Sequence, residues 1–281
     1  MNMRIPDSIA MKSDVVLLAP SPSALVESLR SVGYTVETAL ADIIDNSISA
    51  GAENISVRFR WSDGDSWVAV LDDGCGMTPD VLRDAMRFGS KSPLLERARN
   101  DLGRFGLGLK TASISQCRRL TVCSKTNEIT TACEWDLDYL AASASDDWLL
   151  KVLNQHDQEH DRLLAQLNGD FLKNLSSGTV VIWRCMDAML AGTEPIDSER
   201  KFSEMMNQTR EHLETVFHRF LSPEPGQKPI RIDFNNSQLK GFNPFGPNIP
   251  SRQELPLEKV SVNGEWIEVQ PYVLPHQNKV S

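Results

Sequence analysis

The sequence is short of positive charge. Its 29 Lys and Arg face 38 Asp and Glu, a net charge of -9, whereas a chain devoted to sequence-blind binding of nucleic acid needs an excess of cations to neutralise phosphates. Only a local basic patch is compatible with that count. Cysteine pairing is also missing: Cys75, Cys117, Cys123, Cys133 and Cys185 are odd in number and include no C-x-x-C pair, which speaks against a disulfide framework and a zinc site. Reduced thiols in a cytoplasmic protein are the expectation. Long hydrophobic runs are absent near the N-terminus, where residues 15–19 follow Lys12 and Asp14. Such a run is too short to span a membrane and poorly formed for a secretory signal. There is no internal repeat and no low-complexity tract.

What is present is an ordinary globular composition, 41% hydrophobic and 24% charged over 281 residues, enough for one large domain or two ordinary ones. Residues 1–22 end in "APSPS" and form an N-terminal arm. Helical patterning follows, with Thr38 placed to cap a helix through "ADIIDNSISA" and Gly51 placed to stop it. "NISVRFRW" and "SWVAVLDD" alternate apolar and polar residues around "SDGD", the pattern of a β-hairpin. "RRLTVCSK", "EITTACEWDLD" and "GTVVIWRC" predict further strands, with a polar helical stretch over 145–175 and a long helix over 197–220. From residue 223 the composition turns rich in Pro, Asn and Gly, with short strands in "IRIDF", "EKVSV" and "EWIEVQPYVL". This order predicts an α+β fold with helices on one face of a mixed, largely antiparallel sheet. The expected boundaries are 1–22, 23–222 and 223–281.

Three stretches carry chemistry. In "ADIIDNSISAGA", Asp42 and Asn46 lie four positions apart and share a helix face, with Asp45 close by. Taken alone they read as a solvated helix edge. "LDDGCGM" sets Asp72 at the end of an apolar strand with Gly74 and Gly76 after it, where a carboxylate can accept from an amino group; taken alone it is an ordinary turn. "GRFGLGLKTAS" carries Gly103, Gly106 and Gly108 into a helix, a loop able to aim N–H groups at phosphates, with Lys110 as a point charge. It is not a Walker A loop, since G-x-x-x-x-G-K-[ST] does not occur.

Together, in this order, they resemble the GHKL ATPase superfamily of gyrase, the heat-shock chaperone, histidine kinases and MutL. "DIIDN" is similar to its N-box, "DDGCGM" to its adenine-binding loop, "GRFGLGLK" to its lid and phosphate loop, and Gly178-Thr179 to its fourth motif. "DNSISAGA" and "GLGLKTAS" look nearest to the MutL and MORC-like branches. The resemblance covers roughly residues 24–185 and implies a Bergerat-type α/β sandwich, followed by the start of a transducer-like domain. It also implies ATP bound with Mg²⁺. Asn46 would ligate the metal, Asp72 would accept from the adenine amino group with support from Thr179, and Met77 would pack on a base given room by Gly74 and Gly76. Gly103, Gly106, Leu107, Gly108 and Lys110 would hold the phosphates, with Lys91 in a lid over 88–110.

Asp42 stands where the family usually has a glutamate general base. It is shorter by one C–C bond, about 1.5 Å; Asp45 is the second candidate. Asp42 and Lys110 are the expected catalytic pair of a slow ATPase working as an ATP-dependent homodimer, with the N-terminal arm crossing to the partner and DNA a partner by family analogy. No membrane partner is expected. A regulatory module that binds ATP and scarcely hydrolyses it is the alternative. The histidine-kinase branch fits less well, since no phospho-acceptor helix is recognisable before the domain. His156, His160, His212 and His218 have no matching ligand set and read as ordinary histidines, and Trp61, Trp67, Trp135 and Trp183 as packing residues.

Overall fold

The computed structural model describes residues 20–31, 33–62, 64–89, 108–143, 147–190, 197–246, 249, 252–262 and 264–275. The N-terminal arm, apart from its last three residues, and the segment 90–107 with Lys91, Gly103, Gly106 and Leu107 lie outside them.

Helix α1 (Pro22–Arg30) precedes α2 (Val36–Ser49). Thr35, rather than Thr38, is the N-cap of α2: its Oγ1 accepts from the Thr38 N–H, and Thr38 Oγ1 accepts from the Thr35 N–H at 3.1 Å. The two threonines thus satisfy each other's donors reciprocally, and Thr38 sits one turn inside the helix. Gly51 ends it with a φ of 76°, a left-handed conformation that glycine adopts without a Cβ penalty.

The alternating stretches form β1 (Asn54–Arg60) and β2 (Trp67–Asp72), paired antiparallel from Ile55 opposite Asp72 to Arg60 opposite Trp67. Next come α3 (Pro79–Met86), α4 (Gly108–Gln116), β3 (Arg119–Thr126), β4 (Ile129–Asp136) and α5 (Leu137–Ala142). The stretch expected to be helical over 145–175 opens instead on a three-residue strand, β5 (Lys151–Leu153), which pairs with β4 at the sheet edge. Three residues are too few to show a period. Then follow α6 (Gln155–His160), α7 (Arg162–Asp170), a 3₁₀ turn (Leu172–Asn174), β6 (Gly178–Arg184), α8 (Asp187–Leu190), α9 (Ser198–Val216), α10 (His218–Leu221), β7 (Arg231–Phe234) and β8 (Ser237–Gln238).

These strands make one sheet in the order β5-β4-β3-β6-β2-β1-β7-β8. Every pairing is antiparallel except β1 with β7, which makes the sheet mixed. Side chains alternate between its faces. Val68, Val70, Leu120, Val122, Val181 and Trp183 point into the main core, where they meet Leu40, Ile43 and Ile44 of α2 and Phe202 and Leu213 of α9. Their neighbours Ala69, Leu71, Cys123, Val180 and Ile182 form a smaller cluster on the opposite face with Leu164 and Leu167 of α7. The helical layer expected on one face is therefore joined by a lesser one on the other.

β7 lies in this same sheet, and Ile232, Phe234 and Leu239 belong to the main core. The domain boundary expected between 222 and 223 thus falls inside one folded unit, because β7 must pair with β1 to cover its edge. Beyond it, β9 (Gln253–Glu254) pairs with β12 (Tyr272–Val273), and β10 (Glu258–Val262) with β11 (Glu265–Val269). Every residue of β10 and β11 is solvent-exposed. No described helix is long and apolar enough to cross a membrane.

Phe234 is 2% exposed and its ring lies 5.3 Å from that of Phe59. Phe234→Ala should cost about 3–5 kcal/mol, read as a lowered urea midpoint for the whole sheet, while Val273→Ala should leave that midpoint in place. Equal midpoints for both variants would mean that β7 is not part of the core.

Candidate functional site

The alternation that builds the core also builds the site. Asp72 continues the face of Val68 and Val70, Thr179 that of Val181 and Trp183, and Ser124 that of Leu120 and Val122. Register sets Asp72 opposite Thr179 and Thr179 opposite Ser124. Three polar side chains therefore form a row across three adjacent strands, on the face that carries α2.

Asp72 is only 4% exposed. Its Oδ2 accepts from Ser47 Oγ of α2 at 2.8 Å and its Oδ1 from the Gly74 N–H at 3.0 Å. Burial raises its pKa above the ordinary carboxylate value, and the Ser47 hydroxyl with the Gly74 and Thr179 backbone pulls it back in part. A carboxylate offers about four lone-pair positions, so acceptor capacity remains beyond these bonds. Beside it, Ser124 Oγ donates to the Gly178 carbonyl at 3.0 Å and accepts from the Met77 N–H at 2.9 Å. With its one proton used, Ser124 takes a hydrogen bond from Thr179 Oγ1 at 3.0 Å. The lone pairs of Thr179 are thereby left as acceptors.

The neighbouring Asp73 has a structural task. Its carboxylate accepts from the Glu53 and Asn54 N–H groups and from Asn54 Nδ2. Partial burial raises its pKa, but these donors outweigh burial and hold it below the ordinary range.

Gly74 and Gly76 are held close to the protein's own backbone. A Cβ on Gly74 would stand 2.9 Å from Ala50 Cβ, and one on Gly76, whose φ is 66°, 2.0 Å from the Lys125 carbonyl oxygen. Their missing side chains let the loop press against the protein's own α2 end and β3. Gly178 does the same within the sheet, where a Cβ would stand 2.4 Å from the Asp72 carbonyl oxygen. Met77 packs at the edge of the main core.

On α2, Ala39, Leu40, Ile43, Ile44 and Ser47 are buried, Asp42 and Asp45 are half-buried, and Asn46 is exposed. Asp42 Oδ2 accepts from the Tyr34 hydroxyl at 2.8 Å and lies 3.5 Å from where a Cβ on Gly108 would stand, beside the first residue of α4. Burial and the negative charge of Asp42 push the Asp45 carboxyl up to about 6. Lys110 is 2% exposed and its Nζ donates to the Ala85 carbonyl at 2.7 Å, closing the last turn of α3 beside Trp135 Nε1, which donates to the Met86 carbonyl. The expected phosphate-binding lysine is thus seated under a helix end, since a buried ammonium must find acceptors.

Ser47, Ser124 and Tyr34 were not singled out by sequence. The period of 2 that puts Ser124 on the face of Leu120 and Val122 was available as a signal. The pairing of Tyr34 with Asp42 had none. Among the described residues no cluster of three His, Cys, Asp or Glu forms a metal cage, and His156 and His160 lie exposed against each other on α6. A cavity of about 840 Å³ opens elsewhere, between Leu25, Met86, Phe88, Trp135 and Trp148. Asp42, Asn46, Asp72 and Thr179 do not line it.

The folded protein keeps a proton on Asp45 up to about pH 6, whereas the unfolded chain releases it near pH 4. Stability therefore falls as pH rises through that window. Discounted for the solvent that reaches a half-buried carboxylate, Asp45→Asn should stabilise the nucleotide-free protein by about 1 kcal/mol at pH 7 and by almost nothing at pH 4. Urea midpoints at the two pH values test this, and an equal gain at both would contradict it.

Residues 34–171 match the family model described as histidine kinase-, DNA gyrase B-, and HSP90-like ATPase. The chain is 34% identical over 96 residues to MORC family CW-type zinc finger protein 1 of Homo sapiens, covering 33% of this chain and 10% of that protein. It is 37% identical over 108 residues to the DNA mismatch repair protein MutL of Rhizorhabdus wittichii, covering 37% and 18%. A longer match, 238 residues at 24% identity, reaches Protein MICRORCHIDIA 4 of Arabidopsis thaliana and covers 78% of this chain and 28% of the relative. The chain thus spans less than a third of the length of each of these relatives. Asp42, Asn46, Asp72 and Lys110 all fall inside the segment matched by the family model, and over that segment the chain is similar to the GHKL-type ATPase domains, with MORC and MutL proteins among its relatives.

Proposed function

We propose that this protein is a slow Mg²⁺-dependent ATPase whose ATP-bound form is a homodimer, a conformational switch in a DNA-related process such as repair, chromatin-like compaction or genome defence. The observation that carries the reading is the Asp72 carboxylate, 4% exposed, tied by Ser47 to the helix that also bears Asp42 and Asn46. An acceptor at that depth suits the amino group of a flat heterocycle, because an amino donor answers a buried carboxylate without bringing in a second full charge. Thr179, which pairs opposite Asp72 and keeps acceptor capacity when it donates to Ser124, suits the same edge of the base.

The donor set also fits the metal. Asn46 would supply one hard amide oxygen to Mg²⁺, an ion suited to oxygen ligands. The metal would contribute neutralisation of charge on the phosphates. Asp42 is the general base of this reading: water's oxygen bonds to the γ-phosphorus, the bond from that phosphorus to the ADP oxygen breaks, and the water proton passes to the carboxylate. Asp45, protonated to about pH 6, is the less basic-ready neighbour at mildly acidic pH. The word "mismatch repair" in a relative's name supports a DNA-related role, and the net charge of -9 puts DNA contact on a local patch.

Phosphate release from Mg²⁺-ATP, measured over a range of protein concentrations, should rise faster than linearly and vanish in Asn46→Ala. Release no higher than in that variant would favour the alternative, a module that binds ATP without turning it over. Asp42, shorter than the usual glutamate, and the engagement of Lys110 with Ala85 are what favour that alternative. In either case Asp72→Asn should weaken ATP binding by about 1.5–3 kcal/mol, the range for a hydrogen bond to a charged group. Unchanged affinity by calorimetry would remove Asp72 from the base-binding role.

A further inference from the structure

We infer that Tyr34 is the positioning residue for Asp42, holding one oxygen of its short carboxylate so that the other meets the attacking water; this rests on the ATP-hydrolysing reading given above. The Tyr34 hydroxyl donates to Asp42 Oδ2 at 2.8 Å, and that same oxygen lies 3.5 Å from where a Cβ on Gly108, the first residue of α4, would stand. An aspartate carboxylate at mid-helix turns about its terminal torsion at little cost. With Oδ2 held by the phenol, that turn is stopped, and among the described residues Oδ1 is given no hydrogen-bond partner.

The tyrosine is itself braced along α4. Its carbonyl accepts from Gln116 Nε2 at 3.0 Å, at the last residue of that helix, and Gln116 is 4% exposed. The Thr111 side chain reaches the phenol. From Thr111 to Gln116 is five residues, about 7.5 Å of helix at the standard rise, close to the reach of a tyrosine from backbone to hydroxyl. Burial and the bond to Asp42 both raise the phenol's pKa, so Tyr34 keeps its own proton and stays a donor. It takes no part in the chemistry: the water proton goes to Asp42, and the leaving electrons go to the ADP oxygen. Its effect is to set where Asp42 stands relative to α4, at a position where the side chain is one C–C bond short.

A bond that merely staples the start of α2 would be felt in stability and in ATP affinity. A positioning bond is felt in turnover alone. Tyr34→Phe keeps the ring and removes the hydroxyl, and the measurements are kcat, the Kd for Mg²⁺-ATP and the thermal midpoint. The expected result is a kcat reduced by about tenfold or more, on the scale of a catalytic group displaced by less than 1 Å, with Kd and midpoint close to wild type. An unchanged kcat overturns the inference while leaving the ATPase reading intact. A fallen midpoint with a matching loss of affinity also overturns it, since the bond is then structural. Wild-type turnover no higher than that of Asn46→Ala removes the ATPase reading itself, and the role of Tyr34 goes with it.

Discussion

The hydrogen bond from Ser47 to the buried Asp72 is the constraint on which the site depends. A carboxylate at the end of a central strand, under a helix, is costly to bury without donors. Here the donors are Ser47 on α2 and the backbone N–H of Gly74. To supply its hydroxyl, α2 must lie with the face of Ser47 against the end of β2. The apolar residues of that face, Leu40, Ile43 and Ile44, then fill the core beside it. Once α2 is fixed in rotation, Asp42, Asp45 and Asn46 have no freedom either: they border the buried face that holds Ser47 against Asp72.

The same economy of space governs the loop after β2. Gly74, Gly76 and Gly178 are needed because backbone passes within contact of backbone, at Ala50, Lys125 and Asp72. The loop is therefore held in place by the protein before any ligand arrives, and Met77 is anchored through its N–H to Ser124. Pre-formed placement of this kind lowers the ordering cost of binding. Across the site, α4 is braced on both sides, by Tyr34 through Gln116 and by α3 through Lys110. The lysine that the motif assigns to phosphate is thus, in this structure, a strut of the helix pair.

Much of the fold was legible because it follows short-range rules. The β1–β2 hairpin, β3, β4, β6 and the long α9 all show their period in the sequence, and Gly51 ends α2 as its residue type demands. The misses have physical causes. β5 is too short to carry a period and exists through pairing with β4. The placement of Thr38 as cap failed because Thr35, three residues earlier, supplies the same oxygen one turn sooner. The boundary at 222 followed a shift in composition, whereas the chain returns through β7 to cover the edge of β1.

The sequence by itself determined which way Asp42, Asn46, Asp72 and Thr179 face, through helix spacing and strand alternation, while their roles were implied only by the resemblance of their motifs. Partners from distant parts of the chain were decided by tertiary structure alone. Ser47 meets Asp72, Ser124 joins the row through Thr179, Tyr34 reaches Asp42, and Lys110 turns to Ala85. A period says which way a side chain faces; which group it faces depends on how helices and strands from separate segments pack. That packing is set by the burial of the whole core rather than by any one motif.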